Sequence, residues 1–424
     1  MLATERDPTK QEAAFRQLCT DCGISRTAQA KRCAQACQFI KPNYDALEVK
    51  IHGRRRGETN QSQEPIAPAK HNQQLIEDER FFGPMQAMYR ASLAKPLEGA
   101  QWSGITTALA AALLEQGLID AVITMKADPD DAWKPVPIIV TEPEALAQCR
   151  GMRMGYAPLL ALIEPALARG LKRLAVIGIP CQVYALRALS DDWERQGLTS
   201  LYVIGTPCSD NTSTARFHEF LALLDTNPET INYLEFRADY HVELRYTDGR
   251  QKLIPFLQLP LSDLPPDFFP STCKTCVDYS NVLSDITVGY MGGSGEQWII
   301  VRNPRGQFML DQLAGNINLA APKQAGKRQA AVKAFQNNLE RAAGGIPLRR
   351  MPNWLRPIVA WLMPRLGPRG LEFARARIEM KAIETIITLR YQYPAKLKSM
   401  VPNHVWQLVQ AYGLKPERKE DKSS

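Results

Sequence analysis

The chain has 424 residues, 45 % of them hydrophobic and 23 % charged, which allows a proper core and is ordinary for a soluble globular protein. Its nine cysteines are too sparse for a disulfide scaffold, Met1–Lys10 is polar with no apolar signal core, and no apolar run is long enough to span a bilayer. Free or metal-bound thiols in a reducing cytoplasm are therefore expected.

The net charge of +8 is lopsided, because residues 322–424 hold 20 Lys and Arg against 7 Asp and Glu. A basic segment on a mildly acidic body suits an acidic protein or an anionic membrane surface. No nucleic-acid motif accompanies it, so no nucleic-acid partner is expected.

Along the chain, Met1–Tyr44 carries four cysteines, and the Arg-, Gln- and Pro-rich run Gly53–Glu79 reads as a linker or surface loop. Its Arg54, Arg55 and Arg56 read as a solvated charge run or a phosphate grip. Thr106–Gly117 has helical spacing (Leu109, Leu113) and ends on a glycine, and Ala121–Met125 follows as a buried strand. Arg173–Pro180 and Leu201–Pro207 are short apolar runs with a helical stretch between them, which implies a parallel pair. Both runs end in Pro-Cys, and ligands of open α/β sheets gather beyond the carboxyl ends of strands. Ile231–Phe256 alternates around Asp248-Gly249, a hairpin signal. Met351–Gly367 is apolar and Trp-containing, and Pro357 and Pro364 are expected to break it. There is no internal repeat.

Eight cysteines form two groups. Cys19, Cys22, Cys33 and Cys37 are spaced C-x2-C-x10-C-x3-C, which fits an iron–sulfur cluster or a four-cysteine zinc site equally well. Cys273 and Cys276 form a C-x2-C pair that Cys181 and Cys208, at the two strand ends, can meet. Cys149 has no partner and reads as a plain buried residue. No G-x-G-x-x-G follows a strand, no P-loop is written, and the five histidines form no H-E-x-x-H and no triad. Electrons, if they enter, come from a protein donor. The stretches Glu98–Ala110 and Cys149–Pro158 suit phosphate through a helix start and through Arg150 and Arg153. A helix capped by Ser103 or Thr106 and a solvated loop explain them as well.

The segments CTDCG, HGR, EGAQWSGITTALAAALLEQGLIDAVI, GIPCQVYALR, GTPCSDN, CKTCVDYSNVLSDITVGYMGG and GPRGLEFAR together resemble the deazaflavin-dependent hydrogenase/dehydrogenase beta-subunit family. Within it they resemble the ferredoxin-dependent divinyl chlorophyllide 8-vinyl reductase branch, which is similar to 7-hydroxymethyl chlorophyll a reductase. The resemblance runs from about Cys19 to about Arg375. It implies an iron–sulfur flavoprotein oxidoreductase with two [4Fe–4S] clusters and FAD, reduced ferredoxin as donor and divinyl chlorophyllide a as substrate. Cys181, Cys208, Cys273 and Cys276 fall on one set of cluster positions, and Cys19, Cys22 and Cys37 on the other. Ser25 stands where relatives carry a further cysteine, and Cys33 is the expected replacement, with Ser25 itself, an Asp or an open iron site as the alternatives. Trp102, Ser103, Gly104, Thr106, Arg153 and Tyr156 match stretches that hold flavin, while Asp239, Tyr240 and His241 are the candidate proton donors. The competing reading of those three is ordinary strand residues.

The expected fold class is thus α/β. It comprises an N-terminal iron–sulfur segment (1–52), a linker or loop region (53–97), a parallel-sheet flavin and iron–sulfur core with an antiparallel excursion (98–320) and a basic helical region (321–424). A homo-oligomer is expected in the cytoplasm, and the basic region is expected to steer acidic ferredoxin, with peripheral contact with photosynthetic membranes through Trp354, Trp361 and neighbouring arginines as the rival use.

Overall fold

The computed structural model describes residues 19–40, 42–58, 77–237, 239–290, 296–345 and 351–416. The polar run 59–76 and the glycine-rich 291–295 lie outside these residues. The main sheet contains β1 (Ala87–Leu93), β2 (Ala121–Ala127), β3 (Pro135–Val140), β4 (Arg173–Gly178) and β5 (Ser200–Gly205). A second sheet holds β6 (Ile231–Phe236), β7 (His241–Tyr246) and β8 (Gln251–Pro255). The main sheet is completed by β9 (Ile286–Gly289), β10 (Gln297–Val301) and β11 (Ile317–Ala320), in the order β11-β1-β10-β9-β5-β4-β2-β3.

Only the central strands β9, β5, β4 and β2 run parallel; both flanks are antiparallel. The sheet is therefore mixed, where a parallel one was expected. β2 turns straight back into β3 through residues 128–134, too few for a crossover. Region 53–97, expected as linker or loop, supplies β1, which pairs with β10 and β11.

The apolar strands separate two cores. Ile123, Leu174, Val176 and Val203 face one, which is filled by Trp193 and by the helix Pro180–Ala188. Val122, Ala175 and Ile204 face the other, filled by the helix Ile105–Glu115. The parallel pair and the excursion appear as expected, with β7 and β8 joined across Asp248-Gly249.

The basic region is helical: Gln329–Arg341, Leu355–Leu366, Leu371–Gln392 and Asn403–Val409. Pro357 and Pro364 do not break the second of these. Pro357 lies in the first turn, where the N–H has no intrahelical acceptor, and Pro364 lies in the last. Arg54 and Arg56 are not solvated either. Arg54 pairs with Glu79 and Arg56 with Glu48, both carboxylates being buried.

Candidate functional site

β4 and β5 end side by side, Gly178 opposite Gly205. Asn281 ties the two ends together: its Nδ2 donates to the Gly178 carbonyl at 2.7 Å and the Thr206 carbonyl at 3.2 Å. Pro180 opens the helix that carries Cys181, and the Cys208 N–H donates to the Tyr279 carbonyl at 3.0 Å. Cys273 and Cys276 sit on and just after the turn Ser271–Lys274. Cys181, Cys208, Cys273 and Cys276 thereby wall one small cavity, with Thr20 and Gln38 at its edge. All are free thiols. Burial pushes the Cys276 thiol up to about 11 and raises Cys181, Cys208 and Cys273 above the ordinary thiol range, where neighbouring cysteines add to the rise. Lys381 Nζ donates to the Cys273 carbonyl at 2.7 Å and to Asp210 and Glu384 at 2.8 Å each. Burial disfavours its charge, but Asp210 and Glu384 outweigh that and keep it cationic.

The other four cysteines lie on a loop of short turns. Gly23 presses it onto residues 158–161, where a Cβ would stand 2.5 Å from the Ala161 nitrogen, and the Leu160 N–H donates to the Cys22 carbonyl at 3.0 Å. Burial raises Cys22 to about 12 and Cys37 to about 11, with Cys33 and Cys19 adding to both. Cys33 thus shares the environment of Cys19, Cys22 and Cys37, while Ser25 is exposed.

The two groups touch. Thr20 Oγ1 donates to Cys181 Sγ at 3.5 Å, and Gln38 Nε2 donates to Cys276 Sγ at 3.5 Å. Tyr156 lies near both: burial raises its phenol, and Cys273, Cys181 and Cys19 raise it further. Among the described residues no three His, Cys, Asp or Glu side chains close around a point as they would on a single ion. Four thiols walling a cavity fit the wider four-iron cluster, one thiolate to each corner.

Trp102 and Tyr240 both have left-handed backbone, φ 50° and 64°. Such strain persists only where the surroundings impose it. The Trp102 ring stacks on Tyr290 (centroids 5.6 Å, 10°), Tyr290 meets Phe373 edge-on at 5.5 Å, and Phe373 meets Tyr240 at 5.9 Å. Asp239 is close enough to weigh on the Tyr290 phenol. The Tyr240 hydroxyl donates to the Pro368 carbonyl. His241 Nδ1 lies 3.0 Å from the Asp239 carbonyl and 3.2 Å from its Oδ1.

The helix Ile105–Glu115 starts at Gly104 with φ 89° and no side-chain cap from Ser103 or Thr106. Instead Gln297 Oε1 accepts from the Ile105 N–H at 2.9 Å and from Ser103 Oγ at 3.2 Å. Arg150 Nη1 donates to the Glu98 carbonyl at 2.8 Å, which joins the two candidate flavin loops. Nε of Arg150 and of Arg153 is buried with no hydrogen-bond partner among the described residues. Unpaired buried guanidinium N–H groups beside a helix start and an aromatic stack fit a planar cofactor carrying phosphate.

Residues 88–164 match the coenzyme F420 hydrogenase/dehydrogenase beta subunit N-terminal family, and residues 171–325 match its C-terminal counterpart. The chain belongs to the coenzyme F420 hydrogenase/dehydrogenase beta-subunit family. One relative in it is the chloroplastic 7-hydroxymethyl chlorophyll a reductase of Oryza sativa subsp. japonica, 32 % identical over 93 % of this chain and 82 % of that one. An uncharacterised Nostoc protein is 34 % identical over 94 % of both. The fold is similar to a chain of the F420-reducing [NiFe] hydrogenase complex from Methanosarcina barkeri, with TM-score 0.51 and 22 % identity over 57 % of this chain and 83 % of that one. In this family member the sequence reading missed Asn281, Gln297, Tyr290, Phe373, Lys381 and Arg377, the last a cation felt at Tyr279 and Tyr290. Tyr290, Asn281 and Phe373 all lie in segments that carried the resemblance.

Proposed function

We propose that this chain takes electrons singly from reduced ferredoxin and uses two of them, with two protons, to reduce the 8-vinyl group of divinyl chlorophyllide a to ethyl. The observation that carries this reading is the contact between the two thiol groups through Thr20 and Gln38. Likeness to a relative named as a chlorophyll reductase supports a pigment substrate.

Cys19, Cys22, Cys33 and Cys37 would hold one [4Fe–4S] cluster, and Cys181, Cys208, Cys273 and Cys276 the other. Trp102, Ser103, Gly104, Thr106 and Arg153 would hold FAD, with Tyr156 between flavin and thiols. Bound there, these groups would supply one-electron relay and its conversion into a hydride equivalent. The chain's own residues do the rest. Trp102 and Tyr290 offer an aromatic wall to a flat macrocycle. Lys381 offsets negative charge beside the inner thiols. Tyr240 is committed to Pro368, which leaves Asp239 and His241 as the pair that holds a proton for the vinyl carbon next to the ring.

Anaerobic turnover with reduced ferredoxin and divinyl chlorophyllide a, product identified by chromatography and mass, tests this. Gain of two hydrogens supports it. No product, together with loss of one oxygen from 7-hydroxymethyl chlorophyll a, would move the function to the reaction for which the rice relative is named.

A further inference from the structure

We infer that the helix Leu355–Leu366 is a docking surface for an anionic lipid bilayer, independently of the reaction proposed above. Its amphipathicity is inverted. Trp354, Pro357, Ile358, Trp361 and Arg365 recur at intervals that place them on one helical stripe, and that stripe is the exposed one. Trp354 is 70 % exposed, Trp361 61 % and Ile358 49 %, whereas the helix buries Ala360. A helix that serves only the core turns its tryptophans inward.

Charge chooses the occupant. From Met351 to Leu371 the chain holds three arginines, Arg356, Arg365 and Arg369, and not one acidic residue. Arg365 lies 4.3 Å over the Trp361 ring, so cation and aromatic share one edge of the stripe. Tryptophan and aliphatic side chains on one face, with arginines around them and no carboxylate, are what an interfacial helix needs to sink its apolar face among headgroups and hold anionic lipid. No helix among the described residues is long and apolar enough to cross a membrane, so the contact is peripheral. The helix rests on the turn Phe256–Gln258, and the residues just after it, Gly367 and Pro368, abut Tyr240. The surface therefore adjoins the aromatic site.

The test is flotation of the full-length, cofactor-loaded protein with vesicles of equal phosphatidylglycerol and phosphatidylcholine, against phosphatidylcholine alone. Binding to the anionic vesicles is expected, weakening as salt rises. Trp354→Glu with Trp361→Glu should weaken it at least about ten-fold. Arg356→Gln and Arg365→Gln should each weaken it about five-fold and flatten the salt dependence. Quenching of tryptophan fluorescence by bromine-labelled acyl chains should vanish in the double tryptophan variant. Absence of flotation at low salt overturns the proposal. So does equal flotation of the tryptophan variant, or sedimentation showing that Trp361→Glu dissociates a self-assembly while vesicles bind neither form.

Discussion

Replacing Lys381 by Met removes a buried ammonium that serves three acceptors from three segments: the Cys273 carbonyl, Asp210 two residues after Cys208, and Glu384 one helical turn on. The lysine side chain is 3 % exposed, so water does not take its place. Breaking a buried ion pair costs about 3–5 kcal/mol because the partner is left charged and unpaired. Asp210 and Glu384 keep some access to solvent, which puts the expected loss near the lower end, about 3 kcal/mol. Anaerobic urea unfolding of the loaded protein measures it, and the rate of iron loss to a chelator reports on the cavity. Lys381→Met with Glu384→Met should recover at least about 1 kcal/mol, since one stranded carboxylate is gone. A single variant within about 1 kcal/mol of the parent, with unchanged resistance to the chelator, would refute the claim that Lys381 pins the two cysteine loops together.

Four other outcomes are expected. Asp285→Asn should cost about 3–5 kcal/mol in urea unfolding, because it strands Arg187, and Arg187→Met with Asp285→Leu should cost less than the single change. His52 is held neutral, its pKa lowered by burial to about 3, with Nε2 donating to the Val282 carbonyl at 2.8 Å. The unfolded chain binds that proton below about pH 6.5 and the folded one does not, so stability falls as pH drops through that value, by about 2 kcal/mol at about pH 5; His52→Gln should remove that part of the slope. At Gly104 an added Cβ would stand 2.9 Å from the Ala100 Cβ on left-handed backbone, so Gly104→Ala should cost about 1–2 kcal/mol and lower the flavin retained after gel filtration; full retention would move the flavin away from this helix start. On the reading that the Trp102–Tyr290 wall takes the pigment, Arg377, whose charge reaches the Tyr290 phenol, would meet the pigment's free carboxylate, so Arg377→Gln should raise KM for the acid about ten-fold, with kcat held, and leave its methyl ester unaffected.

Much of this was legible because it is local. Apolar runs bounded by Pro-Cys marked β4 and β5, and period-two alternation around Asp248-Gly249 marked the second sheet. The antiparallel flanks were not legible. AMYRASL in β1 has little β-branching, and its partners lie more than 200 residues away, so tertiary pairing rather than propensity makes it a strand. The Pro-Cys placement argued that Cys181 and Cys208 could converge, but not what holds them. Asn281 does that by bridging two strand ends, and no spacing rule encodes a side-chain amide at such a distance. Gln297 capping a helix nearly 200 residues upstream was invisible for the same reason. Arginine triplets and prolines misled where burial overrode composition: Arg54 and Arg56 found carboxylates, and Pro357 fell in the one helical turn that tolerates it.

The contacts of Thr20 with Cys181 and of Gln38 with Cys276 also fix an order of events. Thr20 and Gln38, at the edge of the inner cavity, leave the ribosome well before their partners, which lie 161 and 238 positions later. These two contacts therefore cannot form before the helix after β4 and the CKTC turn exist, so the edge of the inner cavity is built from parts that are far apart in the chain.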